Sequence, residues 1–168
     1  MKKLGFALVL FLNATITLAN TQVGLEQLLS RKGLSCETDN TYLLQLTTGT
    51  LAKNFDKFTY QIHPASKILS VNGVDYLGIK DAQVLRSNSG RQLALALDAQ
   101  RFGLHINKVA VNIVTSPHES LGYYWVAEGS PSRNRAALLQ LLGNERLQSG
   151  IVQPTPNGNT RVDCIVAG

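Results

Sequence analysis

Glu119 and Glu128 flank a run of three aromatic residues, Tyr123, Tyr124 and Trp125. Two carboxyl groups about 5 to 10 Å apart, one with a raised pKa, can hydrolyse a glycosidic bond. Aromatic faces beside them would stack on the apolar CH patches of a sugar ring. The same run also reads as a strand, because alternation puts Tyr123 and Trp125 on one face and Tyr124 on the other. On that reading Trp125 and one tyrosine fill the core of a sheet. This reading outweighs the sugar site, since no spacing along a strand secures the distance between two acids.

The histidines are His63, His105 and His118. A nucleophilic enzyme needs a base of this kind beside a serine or cysteine. The chain has no Gly-x-Ser-x-Gly elbow and no His-Glu-x-x-His helix. His63 precedes Pro64 at a strand end. His105 lies between Leu104 and Ile106 and faces away from both. His118 and Glu119 lie in a polar turn from Ser116 to Ser120. Each histidine reads first as a surface or hydrogen-bonded residue. The sequence therefore points to no catalytic residue, no metal ligand set and no cofactor, and the chain is not expected to be an enzyme.

Arg86 and Arg91 bracket Ser87-Asn88-Ser89-Gly90. Two arginines at a hairpin tip could grip an acidic partner or a phosphate, although a solvated tip is the simpler reading. Polar loops on a rigid scaffold are common binding elements. The candidate binding residues are therefore Arg86, Arg91, His118, Glu119, Tyr123, Trp125 and Glu128.

Two cysteines remain, Cys36 and Cys164. In an oxidising compartment a lone pair is most simply a disulfide. A reactive or metal-binding thiol is the alternative, and no Cys-x-x-Cys supports it. A bond closing so long a loop would stabilise the fold by about 4 to 5 kcal/mol in the chain-entropy model.

These residues need elements to position them. Thr21 to Lys32 reads as a helix with Leu25, Leu28 and Leu29 on one face. Tyr42 to Thr47 and Phe55 to Ile62 read as strands. Asn72-Gly73 between Lys67–Val71 and Val74–Ile79 is a strong hairpin signal, because both turn positions need positive φ. Ala82–Arg86 and Arg91–Leu97 form a second hairpin. In the latter strand Leu93, Leu95 and Leu97 face one side, with Ala94 and Ala96 on the other. Leu104–Thr115 and Gly122–Glu128 continue the series. Ser132 to Leu147 reads as a helix with a stripe of Ala136, Leu139, Leu142 and either Arg135 or Leu138. Gly143 interrupts it, which would leave Asn144 to Gln148 as a last loose turn. Gln153 to Asn159 reads as a loop and Arg161 to Val166 as a closing strand. The expected fold is α+β: a mainly antiparallel sheet of about seven or eight strands, able to curl into a barrel. It carries an N-terminal helix and a C-terminal helix before the last strand.

The chain opens with Met1-Lys2-Lys3, an apolar run from Leu4 to Leu12 and the exit Thr17-Leu18-Ala19. A positive start, a short apolar middle and small residues at the end describe a secretory signal peptide, cleaved near Ala19. The run falls short of the roughly 20 apolar residues that span a bilayer. The residue directly after Ala19 is Asn20 rather than a cysteine, which argues against a lipid anchor. Asn20 to Gly168 would then form a single globular domain, periplasmic or secreted, of a bacterial envelope. The net charge of +5 includes two signal-peptide lysines, and the other cations are scattered. Nucleic-acid binding needs a clustered basic face, so nucleic acid is not an expected partner. The sequence is read as an exported binding protein, an inhibitor or immunity protein blocking a cell-envelope hydrolase. The alternatives are a carbohydrate-binding or glycan-hydrolysing domain, and a structural subunit of a secretion system or pilus.

Overall fold

A computed structural model describes residues 21–37, 41–51, 60–88, 90–114 and 120–167. The proposed signal peptide lies outside the described residues. The chain order is β1 (Thr21–Val23), α1 (Leu25–Leu28), α2 (Arg31–Leu34), α3 (Tyr42–Leu51), β2 (Tyr60–His63), β3 (Ile68–Val71), β4 (Val74–Leu77), β5 (Asp81–Ser87), β6 (Gly90–Arg101), β7 (Leu104–Val114), β8 (Ser120–Ala127), α4 (Arg135–Gln148), β9 (Val152–Pro154) and β10 (Thr160–Ala167). The fold class is α+β, as expected. The strands form two sheets rather than one, and among the described residues no barrel closes. The smaller sheet runs β1-β4-β3-β2 and the larger β5-β6-β7-β8-β10-β9. All pairings are antiparallel except that of β1 with β4.

The hairpin signals hold. Val71 and Val74 pair around Asn72-Gly73, whose φ angles are 48° and 80°. Both values lie in the left-handed region that this turn requires. Ser87 and Gly90 pair at the second hairpin. Of the strand expected over Phe55 to Ile62, residues 55–59 lie outside the described residues, and β2 holds the rest.

The helical expectations need correction. The single helix over Thr21–Lys32 is instead β1 followed by two short turns, because Gly24 and Ser30 are extended at φ −77° and −62°. Leu28 and Leu29 are still fully buried. The strand over Tyr42–Thr47 is the helix α3. Among its described side chains, Leu43, Leu46 and Thr47, at i, i+3 and i+4, are the buried ones. Thr41 Oγ1 accepts from Leu44 N at 3.0 Å at its start. Thr47 and Thr48 turn their hydroxyls back onto the carbonyls of Leu43 and Leu44 at 2.6 and 2.9 Å. These bonds satisfy threonines that otherwise favour strands. In α4 the buried side chains are Leu138, Leu141 and Leu142, while Ala136 and Leu139 are exposed. Gly143 does divide α4, with φ 76° and ψ 167°.

The helices cover one face of the large sheet, here called the inner face. Leu93, Leu95, Val109, Val111, Tyr123, Trp125 and Val162 meet Leu28, Leu34, Leu43 and Leu46 in one buried cluster. Val23, Leu69 and Tyr76 of the small sheet join the same cluster. Each fully buried aliphatic side chain contributes about 1.5–3 kcal/mol before entropy is subtracted. The expected disulfide is present: Cys36, just after α2, joins Cys164 in β10 across a sequence separation of 128. A second tie lies at the β6–β7 turn, where Arg31 and Arg101 each stand 4.9 Å from the centroid of Phe102.

Candidate functional site

The outer face of the large sheet carries the polar groups that the strands bring together. Strand register fixes who meets whom. Gln83, Ala94, Ala110, Tyr124 and Asp163 form one row across five strands. Asp81, Ala96, Lys108, Val126, Arg161 and Gln153 form the next. Beyond them lies a row of charge, built by two bulges in β6 and β7 that shift register between Ala96 and Ala99 and between Ile106 and Lys108.

In this charged row Lys80 Nζ lies 2.7 Å from Asp98 Oδ2. Asp98 Oδ1 lies 2.5 Å from His105 Nε2, and Glu128 Oε2 lies 2.9 Å from His105 Nδ1. Both ring nitrogens must donate to satisfy both carboxylates, and a neutral imidazole has only one N–H. His105 is therefore held as an imidazolium. Its pKa is raised, first by the hydrogen bond with Asp98 and then by that with Glu128. Asp98 is lowered to about 2, first by the hydrogen bond from Lys80 and next by that from His105. An imidazolium with both N–H groups engaged has no lone pair to accept a proton, so in this arrangement His105 is not a general base. Among the described residues no group of His, Cys, Asp and Glu is placed to hold a metal ion.

The centre of the face is Tyr124. The Arg161 guanidinium lies 3.9 Å from its ring centroid, and Lys108 Nζ lies 5.6 Å away. Arg161 also makes a forked pair with Asp163, at 3.0 and 2.5 Å. Gln92 Nε2 donates to the Tyr124 hydroxyl at 3.2 Å. Ala94, Ala110, Tyr124 and Val126 form a small buried cluster of their own beneath these groups.

The candidate residues from the sequence separate into distinct places. Trp125 and Tyr123 are in the core, at 0% and 2% exposure. Trp125 Nε1 donates to Leu34 O at 3.1 Å, and the Tyr123 hydroxyl donates to Gly33 O at 2.7 Å. Burial pushes the Tyr123 hydroxyl up to about 12. Both aromatic polar groups thus tie β8 to α2, and no ring face is open to a sugar. Glu128 is on the outer face with His105. Arg86 and Arg91 pair directly across β5 and β6, at the far end of the sheet. His118 and Glu119 lie outside the described residues. Lys80, Asp98, Lys108, Arg161 and Asp163 had no local sequence signal, since only strand register collects them. Alternation along β7 alone would place His105 and Lys108 on opposite faces, and only the bulge at Asn107 brings both to the side of Tyr124.

The chain matches no protein-family model, no curated protein and no solved structure. Among the described residues no helix is long and apolar enough to cross a membrane.

Proposed function

We propose that this protein is an exported binding domain that holds another protein against the outer face of its large sheet. On this reading it is an inhibitor or immunity protein of a cell-envelope hydrolase, periplasmic or secreted after cleavage near Ala19. The observation that carries the reading is the Tyr124 centre, with Arg161 at 3.9 Å and Lys108 at 5.6 Å from the ring. Arginine and tyrosine, with tryptophan, are enriched among the anchors of protein interfaces, because they bury large area and keep polar ends. Here they are already ordered by cross-strand contacts, which lowers the entropy cost of association. The disulfide and the leader-like first residues support export. The glycan alternative finds less support, because Trp125 is a core residue and Glu128 is engaged by His105.

Capture from an envelope extract on the immobilised oxidised protein tests this reading. The expected result is one stoichiometric hydrolase whose activity falls on binding. Arg161→Ala should release it while the circular dichroism spectrum stays unchanged. An extract that yields no hydrolase, or one that binds the variant equally well, would overturn the reading.

A further inference from the structure

On the outer face the fold pairs its charges internally: Lys80 with Asp98, His105 with Asp98 and Glu128, Arg161 with Asp163. Asp81 and Lys108 are the exceptions, with no ion-pair partner among the described residues. Asp81 accepts only from neutral donors, Ala82 N at 2.8 Å and Gln83 Nε2 at 3.2 Å. Lys108 rests against the Tyr124 ring. Strand register seats the two on either side of Ala96, on β5 and β7. Two strand spacings separate their Cα atoms by about 10 Å.

Between them lies a concavity of about 290 Å³, whose walls include Asp81, Gln83, Asn107 and Lys108 and whose floor is Ala94 and Ala96. Small floor residues leave the room. The bulge in β7 supplies Asn107, the residue that the register skips between Ile106 and Lys108. Asp81 and Lys108, without ion-pair partners among the described residues, thus both line a polar hollow with an apolar base, and the Lys108 side chain can swing from Tyr124 toward a ligand there.

We propose that this concavity binds a small zwitterion of dipeptide length, its ammonium on Asp81 and its carboxylate on Lys108. Charge-assisted hydrogen bonds would hold both ends. Gln83 and Asn107 offer amide donors and acceptors to the peptide group between them, and the alanine floor suits short apolar side chains. Two extended residues span about 7 Å, which the Asp81 and Lys108 side chains can bracket from 10 Å; a free amino acid falls short of that span. The volume sits just below that of small-molecule sites, about 300–1,000 Å³, which suits a ligand of this size. A neutral sugar would leave both charges unanswered. This inference stands apart from the protein-binding reading and needs no protein partner to test.

The test is a titration of the oxidised, isotope-labelled protein with alanyl-alanine, followed by amide NMR up to about 10 mM ligand, ten times a millimolar Kd. The expected result is a saturable shift at Ala94, Ala96, Asn107 and Lys108. N-acetylated and C-amidated forms, and free alanine, should each bind at least about tenfold more weakly. Asp81→Asn and Lys108→Met should each weaken binding similarly, with the remaining spectrum in place to report a native fold. Absence of a saturable shift overturns the proposal, as does equal binding by the blocked dipeptides, by free alanine or by either variant.

Discussion

Strand β8 sends Tyr123 and Trp125 into the helices and Tyr124 and Val126 to the opposite side, so neighbouring residues live under different rules. On the inner face a polar atom is tolerated only because one backbone carbonyl receives it, as Gly33 O receives the Tyr123 hydroxyl. On the outer face the Tyr124 hydroxyl takes a side-chain partner and its ring is covered by charge. The inner face is shaped by what must exclude water. The outer face is shaped by what can be held in register while still touching it. A rigid sheet can therefore keep a stable core on one side and an adaptable recognition surface on the other.

The strongest way to break this contrast is Trp125→Ala, which empties a fully buried site and removes a hydrogen bond to Leu34 O. It should cost about 3–5 kcal/mol and lower the melting temperature by about 6–20 °C. A thermal melt within 2 °C or so of the parent would mean that Trp125 is not part of the core. Next comes the disulfide. Paired Cys36→Ser and Cys164→Ser changes should cost about 2–5 kcal/mol in urea unfolding, because the long loop between them is released. Arg161→Ala should cost stability no more than about 1 kcal/mol, since its pair with Asp163 is partly exposed. Its expected effect is on partner binding, so a large stability loss with unchanged binding would reverse the roles assigned to the two faces.

The smallest expected effect is the pH dependence of the charged row. His105 has a raised folded pKa. Its stabilising contribution is fully present below its unfolded value near 6.5 and is lost as pH rises through the raised folded value. Asp98 is lowered from 3.8 to about 2, so its contribution is present above 3.8 and is lost as pH falls toward 2. The row is complete between those limits. An NMR titration of the His105 ring should show a pKa above 6.5, falling on Asp98→Asn. A ring titrating at or below the ordinary value would show that the carboxylate contacts do not persist in solution.

Much of the scaffold was legible because its signals are local. Asn72-Gly73 encodes its own turn, and the alternation of Val109 and Val111 with Ala110, and of Tyr123 and Trp125 with Tyr124, survives in the structure. The cysteines paired because they had no competing role. The failures are equally physical. Tyr42–Leu51 offered leucines that fit either period, and tertiary packing of Leu43 and Leu46 chose the helix. Gln153 and Pro154 belonged to the loop expected over Gln153 to Asn159, yet they pair with β10 in a short edge strand, where proline is permitted. For the site, the sequence named Glu128 and oriented His105 away from Leu104, whereas Arg86 and Arg91 fall at the far end of the sheet. It could not show that Glu128 meets His105, because that contact depends on pairing across a bulge.

Strand β10 is the last strand in sequence order yet not an edge of its sheet: it lies between β8 and β9 and carries Cys164 to Cys36. Without it β8 lacks its second neighbour and Trp125 lacks the facing Val162. The middle of the sheet is thus joined by residues far apart along the polypeptide, and such non-local closure is slow to form.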